Sequence, residues 1–380
     1  MNRRDFIRIG LALPLAASLP GRSQAAGRQR TLVLVELKGG NDGLNTVVPY
    51  MDPDYYRLRP NLAIPRDHVI PLGEGLGLHP QLEALDELWQ SGELAIALGV
   101  GYPDPNRSHF RSIDIWESGS GSSETLDEGW LAPLFRDHPQ LKGAVVDGVV
   151  LDGDSGPLSG EGLRSIVMER PERFFRQARR LAALPAAGNA ALLHLSKVQN
   201  AIRLAADDLE KRLRRSRDVG VFPNTRLGRQ LKVAAQLITS DGQVPVIKTA
   251  LPGFDTHRNQ AGIHGRLMKE LAEALHAFRL SLSASGHWNR VLVMTYSEFG
   301  RRVKENGSRG TDHGTAAPHF LLGGAVKGGL YGHQPPLTDL DAGDLRYQLD
   351  YRRLYATVAD SWWGLGEGFR GFRGLPCIRS

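Results

Sequence analysis

The stretch that decides the fold is TLVLVELKGGNDG at residues 31–43, a short apolar run that ends in a glycine-rich polar loop. An almost unbroken apolar run with β-branched residues is typical of a strand covered on both faces. Glycines let the backbone turn sharply after the strand and approach a ligand closely. Residues 31–37 therefore predict a central parallel strand, with Asp42 just beyond its carboxyl end.

The same arrangement recurs along the chain. Apolar runs at Leu94–Val100, Val244–Leu251 and Val291–Thr295 each lead within a few residues into a polar cluster. Ligands of open α/β sheets bind beyond the carboxyl ends of the strands. If these runs are parallel strands, acids, histidines and a serine from distant segments meet at one edge, as in a metal-dependent hydrolase.

The first 25 residues have the pattern of a twin-arginine signal peptide. The pair Arg3 and Arg4 precedes the apolar stretch Ile9–Leu19, and small residues stand at Ser23 and Ala25. The stretch is too short for a permanent membrane span. We predict cleavage after Ala25 and export by the twin-arginine translocation machinery, to the periplasm or beyond.

Composition narrows the class of protein. The formal net charge is +6, but four arginines and one aspartate belong to the predicted leader, which leaves +3 for residues 26–380. A charge that small gives no indication of binding to nucleic acid or to a membrane. The lone Cys377 cannot form an internal disulfide and argues against a cysteine-metal site.

Residues 26–380 have the length and the 41% hydrophobic content of a single large α/β domain. Within it, residues 170–240 are dominated by arginine, leucine and alanine in a helical pattern. We predict that this segment is a helical insertion on the sheet, with one long helix over 189–215 and another over 224–239.

Acids and histidines follow the predicted strands at positions from which they could hold a cation. Asp255 and His257 alternate in an extended segment, so both could reach one ion, through oxygen and nitrogen respectively. A loop has no packing reason to place an acid beside a histidine, as at residues 312 and 313. The candidate metal ligands are therefore Asp42, Asp255, His257, Glu298, Asp312 and His313.

Ser108 and Arg107 are the candidate catalytic residues. Ser108 stands at the predicted start of a helix, where free N–H groups and the helix dipole favour an anion, and a metal could activate its hydroxyl. Arg107 could pair with an oxyanion in bidentate fashion. Structural interpretations stay open: a helix N-cap for Ser108, an Asx-turn at Asp42 and an ion pair between Glu298 and an arginine.

Five segments together resemble an exported bacterial family of unknown function, numbered 1501. These segments are Gly39–Pro49, Tyr102–Phe110, Gly253–Gln260, Ser297–Arg302 and Gly310–Gly324, and they occur in the order of that family. The resemblance covers nearly all of residues 26–380. The family in turn resembles a distant branch of the alkaline phosphatase and sulfatase superfamily.

The superfamily resemblance implies a three-layer α/β/α sandwich with a mostly parallel sheet and a site for two divalent ions, with Zn, Mn, Mg and Ca all open. It implies an acid after the first strand, matched by Asp42, a nucleophile that opens a helix, matched by Ser108, and a final histidine, matched by His313. The expected activity is hydrolysis of phosphate or sulfate esters in a small molecule or a polymer.

Two other functions remain open. Phe299 stands where the superfamily has a histidine, which suits a non-catalytic protein that binds a surface polymer or a partner. Gly153-Asp154-Ser155 resembles the nucleophile block of a serine esterase class. The order of this block and the other sequence blocks of that class is reversed in this chain. Ser155 would then be the nucleophile.

Overall fold

The computed structural model describes residues 30–181, 190–216, 218–240 and 243–379. The predicted signal peptide lies outside the described residues, as does Asn189 at the predicted start of the long helix.

Nine of the fourteen strands in the described part of the chain form one sheet. In chain order, the strands are β1 (Thr31–Lys38), β2 (Val47–Val48), β3 (Ile70–Gly73), β4 (Leu76–Leu78), β5 (Leu94–Gly101), β6 (Gly148–Val150), β7 (Ser165–Val167), β8 (Val246–Pro252), β9 (Val291–Tyr296), β10 (Ala317–Leu322), β11 (Gly329–Tyr331), β12 (Leu340–Asp341), β13 (Asp344–Leu345) and β14 (Leu349–Asp350). The sheet order is β11-β5-β10-β9-β1-β8-β6-β7, and β14 also pairs with β5.

The first strand lies near the centre of this sheet, as its composition predicts. β1 pairs in parallel with β8 on one side and with β9 on the other. Leu32, Val33, Leu34 and Val35 have no exposed surface, because helices cover both faces of the strand. A strand buried on both faces has no polar side chains at its middle, which explains the unbroken apolar run.

One strand interrupts the parallel order. β10 is antiparallel to both β9 and β5, so β5 runs in the same direction as β1 although two strands separate them. The carboxyl ends of β1, β5, β6, β8 and β9 consequently lie at the same edge of the sheet. The convergence of the strand ends predicted above is therefore present.

Helices form the two outer layers. They are α1 (Pro53–Leu58), α2 (Asp86–Gln90), α3 (His109–Ser118), α4 (Leu131–Asp137), α5 (Pro171–Ala178), α6 (Ala190–Arg215), α7 (Arg226–Thr239), α8 (Gln260–Ala284) and α9 (Arg352–Ala356). One hydrophobic core joins α7 and α8 to one face of the sheet, and a second joins α3, α4 and α9 to the other. The predicted three-layer α/β/α sandwich is confirmed.

Two helical segments depart from regular α-helical geometry. Residues 80–85 form a 3-10 helix, Pro80–Leu85, which becomes α-helical only from Asp86. At the carboxyl terminus, α9 continues as a π-helix over Thr357–Trp362. Leu354, Val358 and Trp362 are fully buried there.

Among the described residues, no helix combines the length and the apolar character needed to cross a bilayer.

Candidate metal centre

Four segments bring polar side chains together beyond the central strands. Asp255 and His257 lie in the loop that follows β8, and Glu298 follows β9. His313 forms an isolated antiparallel bridge with Arg301 in the loop that precedes β10. His109 is the first residue of α3 and comes from the segment after β5.

One carboxylate oxygen lies at the centre of this group. Asp255 Oδ1 is 2.9 Å from His257 Nε2, 3.2 Å from His313 Nε2 and 3.4 Å from His109 Nε2. The Nε2 atoms of His257 and His313 are 3.0 Å apart. The ligand atoms of His109, Asp255 and His313 all lie within 4.8 Å of one another.

The other ring nitrogen of each histidine faces an oxygen acceptor. His109 Nδ1 is 2.9 Å from Glu298 Oε1, His313 Nδ1 is 2.9 Å from the carbonyl oxygen of Arg107, and His257 Nδ1 is 3.3 Å from Asp312 Oδ1. Carbonyl and carboxylate oxygens only accept, so each neutral imidazole can donate its Nδ1 proton to this partner when Nε2 binds a metal ion. The three Nε2 lone pairs would then all be available to the ion.

This arrangement fits a divalent metal ion. A tetrahedral ion with bonds of about 2.0–2.1 Å holds its ligand atoms about 3.3–3.4 Å apart, close to the separations around Asp255 Oδ1. Lone pairs that face one another at 3.0 Å repel unless a proton or a cation lies between them. His109 Nε2 is moreover buried and makes no hydrogen bond.

The surroundings shift the titration of these groups. Burial lowers the pKa of His313, whereas the hydrogen bond to Glu298 raises the pKa of His109. Partial burial opposes ionisation of Asp255, but the hydrogen bond from Arg301 and the charge of Arg301 help to lower its pKa to about 2. A carboxylate that stays ionised offers a permanent negative ligand, while protons compete with a metal for the imidazoles.

Arg301 connects the loops that carry the cluster. Its buried guanidinium donates to the carbonyl oxygens of Gly39, Gly40, Phe254 and Thr311, which lie in three different segments. It also donates to Asp255 Oδ1 over 2.8 Å. Arg301 therefore fixes the position of Asp255 relative to the ends of β1 and β8.

Asp42 does not join this cluster. Its side chain is fully buried, and Oδ2 lies 2.6 Å from Nη1 of Arg59. Burial alone would raise the pKa of Asp42, but the charge of Arg59 and the hydrogen bond from it leave the pKa below its usual value. Gln260 donates to the same oxygen. The structure thus places this predicted ligand in a buried ion pair.

The other predicted ligands take different positions. His257 and His313 offer Nε2 atoms beside Asp255, as expected of ligands. Glu298 and Asp312 instead contact the Nδ1 atoms of His109 and His257. In metal sites, carboxylates in that position orient the histidines rather than bind the ion.

Ser108 and Arg107 precede the cluster in the chain. Ser108 is the N-cap of α3, but its hydroxyl makes no capping hydrogen bond and the residue is exposed. The guanidinium of Arg107 pairs with Asp344, and its backbone carbonyl accepts from His313. Arg107 therefore contributes to the cluster through its backbone.

Phe299 forms a wall of the cluster. Its ring is buried and lies 4.9 Å from the ring of His109 and 4.6 Å from that of His313, measured between centroids. Phe299 thus presents an apolar surface that restricts how both imidazoles can rotate.

The functional residue that sequence reasoning missed is His109. It belongs to the polar run Asn106-Arg107-Ser108-His109, and the interpretation settled on the serine one position earlier. The signal that could have identified it is the position after a strand end, which His109 shares with Asp255. In the described part of the chain, no histidine hydrogen-bonds to Ser155, the alternative nucleophile.

Residues 95–370 match the family described as "Protein of unknown function (DUF1501)". The chain belongs to this family. The predicted family resemblance is therefore confirmed. No curated protein sequence matches the chain.

Among solved structures, the soluble domain of lipooligosaccharide phosphoethanolamine transferase A from Neisseria meningitidis aligns at 10% identity over 94% of this chain and 96% of that one, with a TM-score of 0.41. The zinc complex of the periplasmic domain of EcEptC from Escherichia coli aligns at 10% identity over 80% and 77%, with a TM-score of 0.37. The alkaline phosphatase of the Antarctic bacterium TAB5 aligns at 10% identity over 80% and 95%, with a TM-score of 0.35. These similarities are too distant to bear on the activity of the chain.

Proposed function

We propose that this member of the DUF1501 family is an exported hydrolase of phosphate or sulfate esters that depends on a divalent metal ion. The observation that carries the proposal is the convergence of three Nε2 atoms, from His109, His257 and His313, on Asp255 Oδ1. This set of three nitrogens and one oxygen suits Zn²⁺, since Mg²⁺ and Ca²⁺ prefer oxygen ligands.

A divalent ion bound by these residues would supply Lewis-acid stabilisation of the negative charge that develops on an ester oxygen. The chain itself contributes orientation. Glu298 and Asp312 hold the Nδ1 protons of His109 and His257, which keeps both Nε2 atoms free. Arg301 keeps Asp255 in place.

Ser108 is our proposed nucleophile. It directly precedes His109, and its hydroxyl is exposed and not engaged as a helix cap. Water is the alternative attacking group. The variant Ser108→Ala distinguishes these two mechanisms. If the serine attacks, the variant loses turnover but keeps its metal content.

The test is metal analysis of the purified exported protein, followed by turnover of a panel of aryl phosphates and aryl sulfates with zinc supplied. We expect about one tightly bound ion per chain and hydrolysis of at least one ester class. His313→Ala should lose both, whereas His68→Ala, a control at an exposed histidine outside the cluster, should lose neither.

Absence of bound metal from the wild-type protein, even after zinc is supplied, would overturn the metal centre. Bound metal without turnover of any ester would overturn the hydrolase and favour a non-catalytic binding protein on the same fold.

A further inference from the structure

The charge of the chain is strongly segregated. Residues 170–240 contain 15 lysines and arginines against 5 acids, a net charge of +10, while the rest of residues 26–380 carries −7. The small net charge of residues 26–380 conceals this contrast. A concentrated field of one sign on part of a protein attracts polymers of the opposite sign.

The basic segment folds into α5, α6 and α7, which lie on one side of the sheet. Arg173 and Arg176 of α5 are exposed, and Arg214 and Arg215 are exposed in the last turn of α6. The excess charge is therefore carried largely at the surface.

A cavity of about 1000 Å³ opens between α5 and α7. Four exposed cations and two acids are among the residues that line it, namely Arg170, Arg226, Arg229, Lys232, Glu169 and Glu172. The volume is at the upper end for ligand clefts, which gives room for several linked sugar rings.

The start of α7 places cations where the helix itself disfavours them. The first turn of α7 contains no acidic residue, but it begins with Arg226, and Arg229 follows three positions later. Cations near a helix N-terminus are opposed by the helix dipole. Nη2 of Arg226 lies 3.8 Å from Oε1 of Glu169. These arginines thus cost helix stability and are only partly neutralised.

The cavity lies at the same edge of the sheet as the metal centre. Its lining includes Leu151, directly after β6, and Glu169, which follows β7. Both strands are parallel to β8, whose following loop carries Asp255. Neighbouring strands are about 4.8 Å apart, so an extended chain bound in the cavity could continue along the edge to the metal centre.

We propose that residues 170–240 form a docking surface for an anionic polysaccharide, a glycan chain that carries sulfate or phosphate groups. The cavity holds a stretch of the chain, and the surrounding arginines and lysines bind its anions. This inference extends the proposed function, since it names the substrate of the metal centre as a polymeric ester.

Two other polyanions are outcomes of the test. Leu192 and Leu204 on α6 are 46% and 57% exposed, a feature that would also suit an anionic lipid surface. A nucleic acid would be attracted by the same charge. The cavity favours the glycan, because a lipid surface would leave it unfilled and a duplex is too wide to enter.

The test measures equilibrium binding of the exported protein to dextran sulfate, phosphorylated dextran and neutral dextran of matched length, at several salt concentrations. The triple variant Arg226→Gln, Arg229→Gln, Lys232→Gln is compared with a control triple at exposed cations elsewhere, Arg66→Gln, Lys327→Gln, Arg346→Gln. Vesicles of phosphatidylglycerol and duplex DNA complete the panel.

We expect salt-sensitive binding of one or both charged dextrans, no binding of neutral dextran, and roughly tenfold weaker binding by the first triple variant alone. Equal binding by both triple variants, or tighter binding to vesicles or DNA than to either charged dextran, would overturn the proposal. His313→Ala should bind the charged dextrans as the wild type does. The binding result therefore does not depend on whether the protein hydrolyses an ester.

Discussion

Two polar clusters lie near the carboxyl end of β1, and they differ in how their charges are paired. Around Asp42 the charges balance, because Arg59 neutralises the acid and both side chains are fully buried. Around Asp255, three imidazole nitrogens and Arg301 converge on one carboxylate oxygen, and the side chains of Asp255 and His257 are 50% and 40% exposed. The closed pair stabilises the fold, whereas the open cluster can take up a cation.

The comparison shows that an acid after a strand end is not by itself a sign of a metal ligand. What separates the two clusters is burial and the number of side chains that converge. Asp42 and Arg59 form a closed, fully buried pair, whereas three imidazole nitrogens converge on half-exposed Asp255, which Arg301 also contacts. Substitutions that remove one partner from either cluster test this difference.

The largest effect is expected for Arg59→Met. The variant leaves the buried charge of Asp42 unpaired and removes the donor to the carbonyl oxygens of Val303 and Arg302. Breaking a buried pair from one side costs about 3–5 kcal/mol. Urea unfolding should show this loss, and the double variant Arg59→Met, Asp42→Asn should recover part of it.

The matched substitution in the open cluster is Asp255→Asn. In the metal-free protein we expect a change in the free energy of unfolding below about 1 kcal/mol, because the side chain of Asp255 is half exposed. Buried Arg301 also keeps its hydrogen bonds to four backbone carbonyl oxygens in the variant. If Asp255→Asn cost as much as Arg59→Met, the distinction between the two clusters would fail.

The sequence predicts the class of fold well, for a physical reason. A strand buried on both faces is apolar over most of its length, so the ends of β1 and β9 are predicted to within one residue. The sequence does not predict the direction of β10, because an apolar run has the same pattern in parallel and in antiparallel strands. Its antiparallel insertion emerges only from the structure.

The candidate site is predicted less completely. Asp42 and Asp255 carry the same local signal, a glycine and an acid after a strand. Only the tertiary structure brings Arg59 to the first acid and His109 to the second. Likewise, Glu298 and Asp312 are correctly placed near the cluster, but which ring nitrogen each one faces depends on side-chain geometry that spacing does not reveal.

The next prediction concerns the two carboxylates that contact the Nδ1 atoms of the cluster histidines. Loss of such a partner commonly weakens metal binding by about 10- to 100-fold. We expect Glu298→Ala to weaken metal binding by about 100-fold. The Glu298 side chain is only 6% exposed and also accepts a hydrogen bond from the backbone of Gly39. Asp312→Ala should weaken metal binding by only about 10-fold, because the Asp312 side chain is 58% exposed.

Zinc affinity, measured by competition with a chelator, checks this order. Asp341→Ala removes an acid that is 74% exposed and lies outside the cluster, and it serves as the control. A larger loss for Asp312→Ala than for Glu298→Ala would mean that Asp312 binds the ion itself, as first predicted from the sequence.

The last prediction concerns His319, a buried histidine with neither an acid nor a cation beside it. Burial lowers the pKa of His319 to about 3, and Nδ1 makes no hydrogen bond. Between pH 6.5 and 3, the unfolded chain binds a proton that the folded chain does not. Stability must therefore fall as the pH drops through this range, by about 1.4 kcal/mol per pH unit.

His319→Phe keeps an aromatic ring against Trp116 and removes the titrating group. We expect the difference in unfolding free energy between wild type and variant to change by roughly 1 kcal/mol from pH 6.5 to pH 5.5 in the metal-free protein. A difference that stays constant with pH would show that the imidazole takes up its proton in the folded state. Burial without a partner would then not suffice to keep a histidine neutral here.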